Sequence, residues 1–164
     1  MKKTVFLIPA LLLLLFLSAC QSGEKNDVTF YYSRDPKQYQ YFQDDSVICT
    51  EDRDLLGHRS DLQYMAGLYL AGPMEEGLVA PFTKSTRLIS IQQKDSAIFV
   101  SLSDHTDTMT DSEFSLSCAC LSMTCMDYFP CDEVTVTSGS RSITMNRDNI
   151  VLLDSLPSQE SNGG

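Results

Sequence analysis

The chain has 164 residues, with 12 Lys and Arg against 22 Asp and Glu, and carries a formal charge of −10. Nucleic acid and anionic lipid surfaces repel a protein of this charge, and no run of basic residues reverses the effect locally. The length is that of one ordinary domain.

The first 20 residues have the pattern of a bacterial lipoprotein signal. Lys2 and Lys3 precede an apolar run over residues 5–17, which is shorter than the roughly 20 residues of a membrane-spanning helix. Residues 17–20 read Leu-Ser-Ala-Cys and resemble the lipobox, in which the cysteine receives a diacylglyceryl group and the chain is cut before it. We therefore expect residues 1–19 to be removed and Cys20 to be the lipidation site. The alternative is an ordinary secretory signal that is cut near Ala19.

Cleavage before Cys20 leaves 145 residues with a formal charge of −12, because the signal contains two of the basic residues and none of the acidic ones. The lipid then holds the protein at the extracytoplasmic face of the cell membrane, since two or more acyl chains give stable anchoring where one does not. The sequence predicts a flexible linker at residues 20–27, a folded domain at residues 28–156 and a disordered tail at residues 157–164.

The first part of the domain predicts two strands and a helix. Residues 28–32 are rich in β-forming side chains and predict a strand, and a short second strand is expected at residues 46–49. Apolar residues recur at helical spacing over residues 62–70, after a Ser-x-x-Gln capping box at residues 60–63. The Gly-Pro pair at residues 72–73 ends this helix.

The middle of the domain predicts a hairpin and a second helix. Residues 87–91 and 97–102 have the composition of two strands joined by a polar turn. A helix is expected over about residues 112–128, with its cap at Asp111 or Ser112.

Residues 134–136 alternate as a further strand, and residues 142–145 and 150–153 suggest a C-terminal hairpin. The order of elements predicts a single α+β domain of βαββαβ type, with a small mixed sheet, two helices on one face of it, and the appended hairpin.

Several segments, in the same order along the chain, resemble those of a known family. Residues 29–32 are similar to its opening strand, which ends in aromatic residues, and residues 70–73 to its helix-ending Leu-x-Gly-Pro. Residues 97–103 are similar to its Val-Asp-Leu-Ser strand, residues 124–128 to the end of its second helix, and residues 134–139 to its closing strand. The family is the sporulation and spore germination (GerMN) domain of Gram-positive lipoproteins. The resemblance implies a non-enzymatic domain that acts in envelope processes of sporulation or germination.

Five cysteines remain when one is assigned to lipid. On a helix, Cys118 and Cys120 point about 200° apart, and Cys118 and Cys125 lie about 10.5 Å apart along the axis, beyond disulfide reach. Neither a Cys-x-x-Cys pair nor a zinc spacing occurs. We expect buried free thiols. The alternative, permitted outside the cytoplasm, is one disulfide from Cys131 to Cys125 or Cys49.

The sequence assigns no catalytic residue, metal or cofactor. His58 and His105 lie in polar stretches, without a His-Glu-x-x-His or Gly-x-Ser-x-Gly motif around them. The acidic residues 104–107 with Asp111 offer oxygen ligands to a cation, but they lack the spacing and the glycine of a calcium loop, so we interpret them as a solvated loop.

Aromatic residues concentrate near the first strand. Alternation along a half-buried strand predicts that Tyr31 or Tyr32 belongs to the core. Tyr39, Tyr41 and Phe42 follow in a polar stretch, and exposed aromatic residues favour interfaces.

The functional hypothesis is a membrane-anchored, non-enzymatic assembly module whose sheet or helix face packs on another envelope protein or on copies of itself, with no small-molecule substrate. The alternative is a small-ligand-binding receptor lipoprotein, which needs a concave apolar pocket with a few convergent polar groups.

Overall fold

The computed structural model describes residues 27–35, 37 and 47–150. The described elements are β1 (Asp27–Arg34), β2 (Ile48–Asp54), α1 (Leu62–Leu70), β3 (Leu78–Val79), β4 (Leu88–Lys94), β5 (Ala97–Leu102), α2 (Asp111–Tyr128), β6 (Glu133–Ser138) and β7 (Arg141–Asn146). The α+β class expected from the sequence is confirmed. When β2, β3 and β7 are left aside, the remaining elements follow the predicted order βαββαβ.

The strands form two sheets rather than the single sheet that the sequence predicts. In the three-stranded sheet, β1 lies in the centre. It is antiparallel to β2 from Asp27 to Ser33 and antiparallel to β3 at Ser33 and Arg34. Val28, Phe30 and Tyr32 are buried on one face of β1, as the period of a strand with one face in the core requires. The first strand is thus confirmed, whereas the second extends well past its predicted end.

The four-stranded sheet has the order β4-β5-β6-β7. β5 and β6 are parallel, with α2 as the crossover between them, and the other pairs are antiparallel hairpins. The inner face buries Ile98, Val100, Val134 and Val136. The predicted strand at residues 97–102 is confirmed at both ends. β7 confirms half of the C-terminal hairpin, and it pairs with β6; residues 151–153 lie outside the described residues.

The N-cap of helix α1 lies one residue after the predicted one. Asp61, not Ser60, is the N-cap, and its carboxylate accepts a hydrogen bond from the Tyr64 backbone N–H at 2.9 Å. A carboxylate at this position satisfies one of the N–H groups that the first turn leaves without a helical partner. The helix ends before Gly72, whose φ of +93° only glycine adopts without strain.

Helix α2 begins with a capping box at Thr110, one to two residues before the cap predicted at Asp111 or Ser112. The Thr110 hydroxyl accepts from the Glu113 backbone N–H at 3.2 Å, and the Glu113 carboxylate accepts from the Thr110 backbone N–H at 2.7 Å. The helix contacts β1, β6 and β7, so Cys118 and Cys120 are both buried although they point in different directions. Partners on several sides explain why α2 has no exposed polar stripe.

The two helices satisfy the backbone of β1 where β3 does not reach. The Tyr31 N–H donates to the Thr124 hydroxyl of α2 at 3.0 Å, and the Tyr69 hydroxyl of α1 donates to the Tyr31 carbonyl at 3.0 Å. The free edge of a strand is a template for unwanted pairing. Here, helix side chains cover it.

Candidate interaction surface

The predicted lipidation site, Cys20, lies outside the described residues. Within the described ranges, Cys49 is half-buried and Cys118, Cys120, Cys125 and Cys131 are buried, and all five are free thiols. Burial raises the pKa of Cys118 and of Cys120 to about 12 and raises that of Cys125 further. These three thiols are therefore protonated and contribute to the core as small apolar groups.

Within the described ranges, His58, His105 and Asp111 each contact a different neighbour. His58 stacks on Tyr64 with ring centroids 4.3 Å apart, and His105 contacts the Ser103 hydroxyl through Nδ1 at 3.1 Å. Asp111 pairs with Arg141 at 2.9 Å. No group of three or more potential metal ligands comes together in the part of the chain that the structure describes.

Tyr32 is the core tyrosine of the adjacent pair. Its ring stacks on that of Tyr69, with centroids 5.0 Å apart and an interplanar angle of 5°. Tyr31 lies half-buried on the opposite face, and its hydroxyl donates to the Asp127 carboxylate. Burial and that hydrogen bond raise the pKa of Tyr31 to about 12. Tyr39, Tyr41 and Phe42 fall outside the described residues.

A buried ion pair on β2 was missed by the sequence interpretation. The Arg53 guanidinium donates to the Glu51 carboxylate and to the carbonyls of Leu68 and Gly72 at the end of α1, at 3.3 and 2.6 Å. The Glu51 carboxylate also accepts the backbone N–H groups of Met74 and Glu75, both at 2.8 Å. The pair therefore fixes α1 and the loop after it on the three-stranded sheet.

The environment of Glu51 determines its charge state. Burial acts to raise the pKa of Glu51. The hydrogen bonds from the backbone of Glu75 and Met74 and the Arg53 guanidinium outweigh burial and leave this pKa below its ordinary value of 4.5.

The local sequence, with four charged residues in a row at 51–54, gives no periodic signal that distinguishes the inward side chains of Glu51 and Arg53 from their exposed neighbours.

The outer face of the four-stranded sheet is a candidate interaction surface. Cross-strand partners share a face, and Phe99, in the middle of β5, is 44 % exposed there. Twelve residues of the four strands form three cross-strand rows on this face: Ser90, Ser101, Thr137 and Ser142; Gln92, Phe99, Thr135 and Thr144; and Lys94, Ala97, Glu133 and Asn146. Six of these twelve residues carry hydroxyls. The only charged residues among them are Lys94 and Glu133, which have opposite signs. This surface, the β4–β7 face, is thus neutral in a strongly acidic chain.

A cleft of about 310 Å³ lies between residues 79–83 and the first half of α2. Val79, Met109 and Leu116 give it apolar walls, and Glu113 and Thr108 add polar groups. The volume is at the lower end of the range of about 300–1,000 Å³ for ligand sites.

Among the described residues, no helix is both long and apolar enough to cross a membrane.

No family model and no curated protein matches the chain. Solved structures that are similar to it include the following two. One is a protein from Clostridium perfringens that is assigned as a lipoprotein, with 16 % identity, a TM-score of 0.47, and coverage of 74 % of this chain and 87 % of that one. The other consists of the tandem GerMN domains of the sporulation protein GerM from Bacillus subtilis, with 16 % identity and a TM-score of 0.46. That similarity covers 70 % of this chain, which spans 39 % of the tandem chain.

Proposed function

We propose that this chain is a lipid-anchored, extracytoplasmic interaction module without enzymatic activity, and that its β4–β7 face binds another envelope protein. Its role is in the envelope processes of sporulation or germination, as the sequence resemblance to the GerMN domain implies. Cys20 carries the lipid, and the linker at residues 20–27 joins it to the domain.

The observation that supports this proposal is the neutral β4–β7 face with Phe99 exposed at its centre. Depletion of charge at the core and enrichment in aromatic residues distinguish interfaces from the rest of a protein surface. After cleavage before Cys20 the chain has a formal charge of −12 and repels an acidic partner over most of its surface. The β4–β7 face is where such a partner approaches without repulsion. Hydroxyls in the same row as Phe99, such as the Thr135–Thr144 pair at 2.8 Å, supply hydrogen-bonding groups beside it.

Site-specific photocrosslinking in the intact lipoprotein tests the face directly. A photoreactive residue in place of Thr135 should capture one envelope protein in the source cells, and Phe99→Ser should abolish the capture. The matched control is the same probe at Thr50, which is exposed on β2 of the three-stranded sheet. Capture of the same proteins from both positions, or no loss with Phe99→Ser, would contradict the proposal.

The role in sporulation has a separate test. Replacement of Cys20 by Ala should release the protein from the membrane fraction and lower the yield of heat-resistant spores to the level of a deletion strain. Normal spore yield and germination in the deletion strain would remove this part of the proposal and leave the binding face untouched.

The cleft beside α2 favours a second candidate function, a receptor for a small ligand. Such a ligand should shift the amide resonances of Val79, Met109 and Leu116 in a titration. A ligand that shifts these resonances selectively would place recognition in the cleft rather than on the β4–β7 face.

A further inference from the structure

The turn after β2 presents an apolar side chain in a strained conformation. Leu56 has a φ of +51° and is 72 % exposed, between the buried Leu55 and Gly57 with a φ of +84°. An L side chain at positive φ is disfavoured by contact of its Cβ with the following carbonyl, and Asn or Gly adopts the same backbone without this strain. Leu56 therefore has both a strained backbone and a solvated apolar side chain. Neither feature stabilises the fold of the domain by itself.

One other non-glycine residue in the described ranges has a positive φ, and it is of a type that tolerates this conformation. Asp95, in the turn between β4 and β5, has a φ of +54°, and Asp is among the residues that tolerate this region. A leucine at the equivalent conformation indicates a requirement for an apolar side chain, because strain of this kind persists where function demands it.

The same turn lies at the end of the domain where the chain enters from the lipid anchor. Asp27, the first residue of β1, is the strand partner of Asp54, and Leu56 is two residues further along. Seven residue steps separate Cys20 from Asp27, which limits the tether to about 25 Å even when fully extended. The last residue of α2 is at this end as well, since the Tyr128 hydroxyl donates to the Arg59 carbonyl. This end of the domain is therefore kept near the bilayer.

We propose that Leu56 is a membrane-contact residue, which inserts its side chain into the lipid of the bilayer that holds Cys20. This inference rests on the lipid anchor of the proposed function and is independent of the β4–β7 face. The contact is apolar rather than electrostatic, because Asp27, Asp54 and Asp61 lie at the same end. A single side chain suffices, since the covalent anchor makes the contact intramolecular and supplies a high effective concentration. The result is a fixed orientation of the domain on the membrane.

The chain has no tryptophan, so a single introduced one reports on its own surroundings. The experiment uses the full lipidated protein in phosphatidylcholine vesicles whose acyl chains carry bromine, a short-range quencher. Leu56→Trp should lose roughly half of its emission, as expected for a side chain at the boundary of headgroups and acyl chains.

The matched control is Ile89→Trp. Ile89 is 66 % exposed, in the bulge of β4 next to Leu88. It lies at the opposite end of the domain from Leu56. β6 begins shortly after α2 and is parallel to β5, so both strands begin at the end of the domain where α2 ends. Because β4 is antiparallel to β5, the first residues of β4 lie at the far end. The emission of Ile89→Trp should not change in the brominated vesicles. Equal quenching at both positions, or quenching at neither, overturns the inference.

Two further measurements use variants without a bulky probe. In vesicles, Leu56→Asn should speed hydrogen exchange of the amides at residues 55–59 relative to the wild type and leave exchange in the core strands unchanged. Equal exchange rates at residues 55–59 in the two proteins overturn the inference.

Anionic phosphatidylglycerol vesicles should weaken the Leu56→Trp quenching at low salt. A requirement for anionic lipid would instead assign the contact to His58 and Arg59 and overturn the apolar insertion.

Flotation of the same samples separates this inference from the anchor. Protein that floats with the vesicles but shows no quenching of Leu56→Trp contradicts the membrane contact alone. Protein that does not float contradicts the lipidation of Cys20, and the membrane contact with it.

Discussion

The hydroxyl of Thr124 accepts a hydrogen bond from the backbone N–H of Tyr31 at 3.0 Å and donates one to the carbonyl of Cys120, also at 3.0 Å. One buried side chain on α2 thereby satisfies the edge of β1 and a carbonyl of its own helix. The three-stranded sheet is attached to the remainder of the domain through such contacts, because no strand pairing joins the two sheets among the described residues.

Thr124→Val keeps the shape of the side chain and removes both hydrogen bonds. We expect a loss of about 1–3 kcal/mol in the free energy of unfolding, since the Tyr31 N–H loses its partner in a partly buried position. Urea denaturation followed by circular dichroism measures the change. Thr124→Ser keeps the hydroxyl, and its loss should be that of one methyl group, about 0.8 kcal/mol. Equal losses for the two variants would show that the hydroxyl has no role.

The second prediction concerns the buried pair on β2. Glu51→Gln leaves the Arg53 guanidinium without its charged partner, and the removal of one member of a buried pair is expected to lower the free energy of unfolding by about 3 kcal/mol. Asp52→Asn is the control, because Asp52 is an exposed neighbour on the same strand and its replacement should change stability by less than about 0.5 kcal/mol. A loss of similar size in the control would assign the effect to the charge of β2 as a whole.

The same carboxylate makes stability depend on pH on the acid side. The pKa of Glu51 is lower in the folded protein than its ordinary value of 4.5. The stabilisation is therefore fully present above that value and is lost as the pH falls through the folded-state pKa. Thermal unfolding between pH 7 and pH 3 should show a smaller acid-side decrease for Glu51→Gln than for the wild type. Part of the decrease should remain, because hydrogen bonds from the backbone and hydroxyl of Thr110 also lower the pKa of Glu113.

Alternating strands and the α+β class could be predicted from the sequence because their signals are local. Val28, Phe30 and Tyr32 face the core in the period-two pattern, and residues 97–102 form β5 as predicted. The cap of α2 was predicted one to two residues too late, although Thr110 and Glu113 have the Ser/Thr-x-x-Glu spacing of a capping box.

Other features depend on tertiary partners that a sequence does not reveal. β2 was underestimated because Glu51 and Arg53 are polar residues that face inward, where α1 and the loop after it satisfy them. β3 has two residues and no periodicity of its own. The split into two sheets follows from the position of α2 against β1 on one side and against β6 and β7 on the other. For the candidate surface, neither the outward direction of Phe99 nor its row of neutral partners can be determined without the strand register.

The last prediction concerns the five thiols. Only the thiolate form reacts at a useful rate, and burial raises the pKa of Cys118 and Cys120 to about 12, so both should resist alkylation in the native protein at neutral pH. Cys49 is half-buried, with Arg34 nitrogens 3.2 and 3.3 Å from its Sγ, and should be labelled first. Mass spectrometry of the native protein should then show one rapid label, which Cys49→Ser abolishes. Unfolding without reductant should give five labels, whereas three would show that a disulfide joins two of these cysteines.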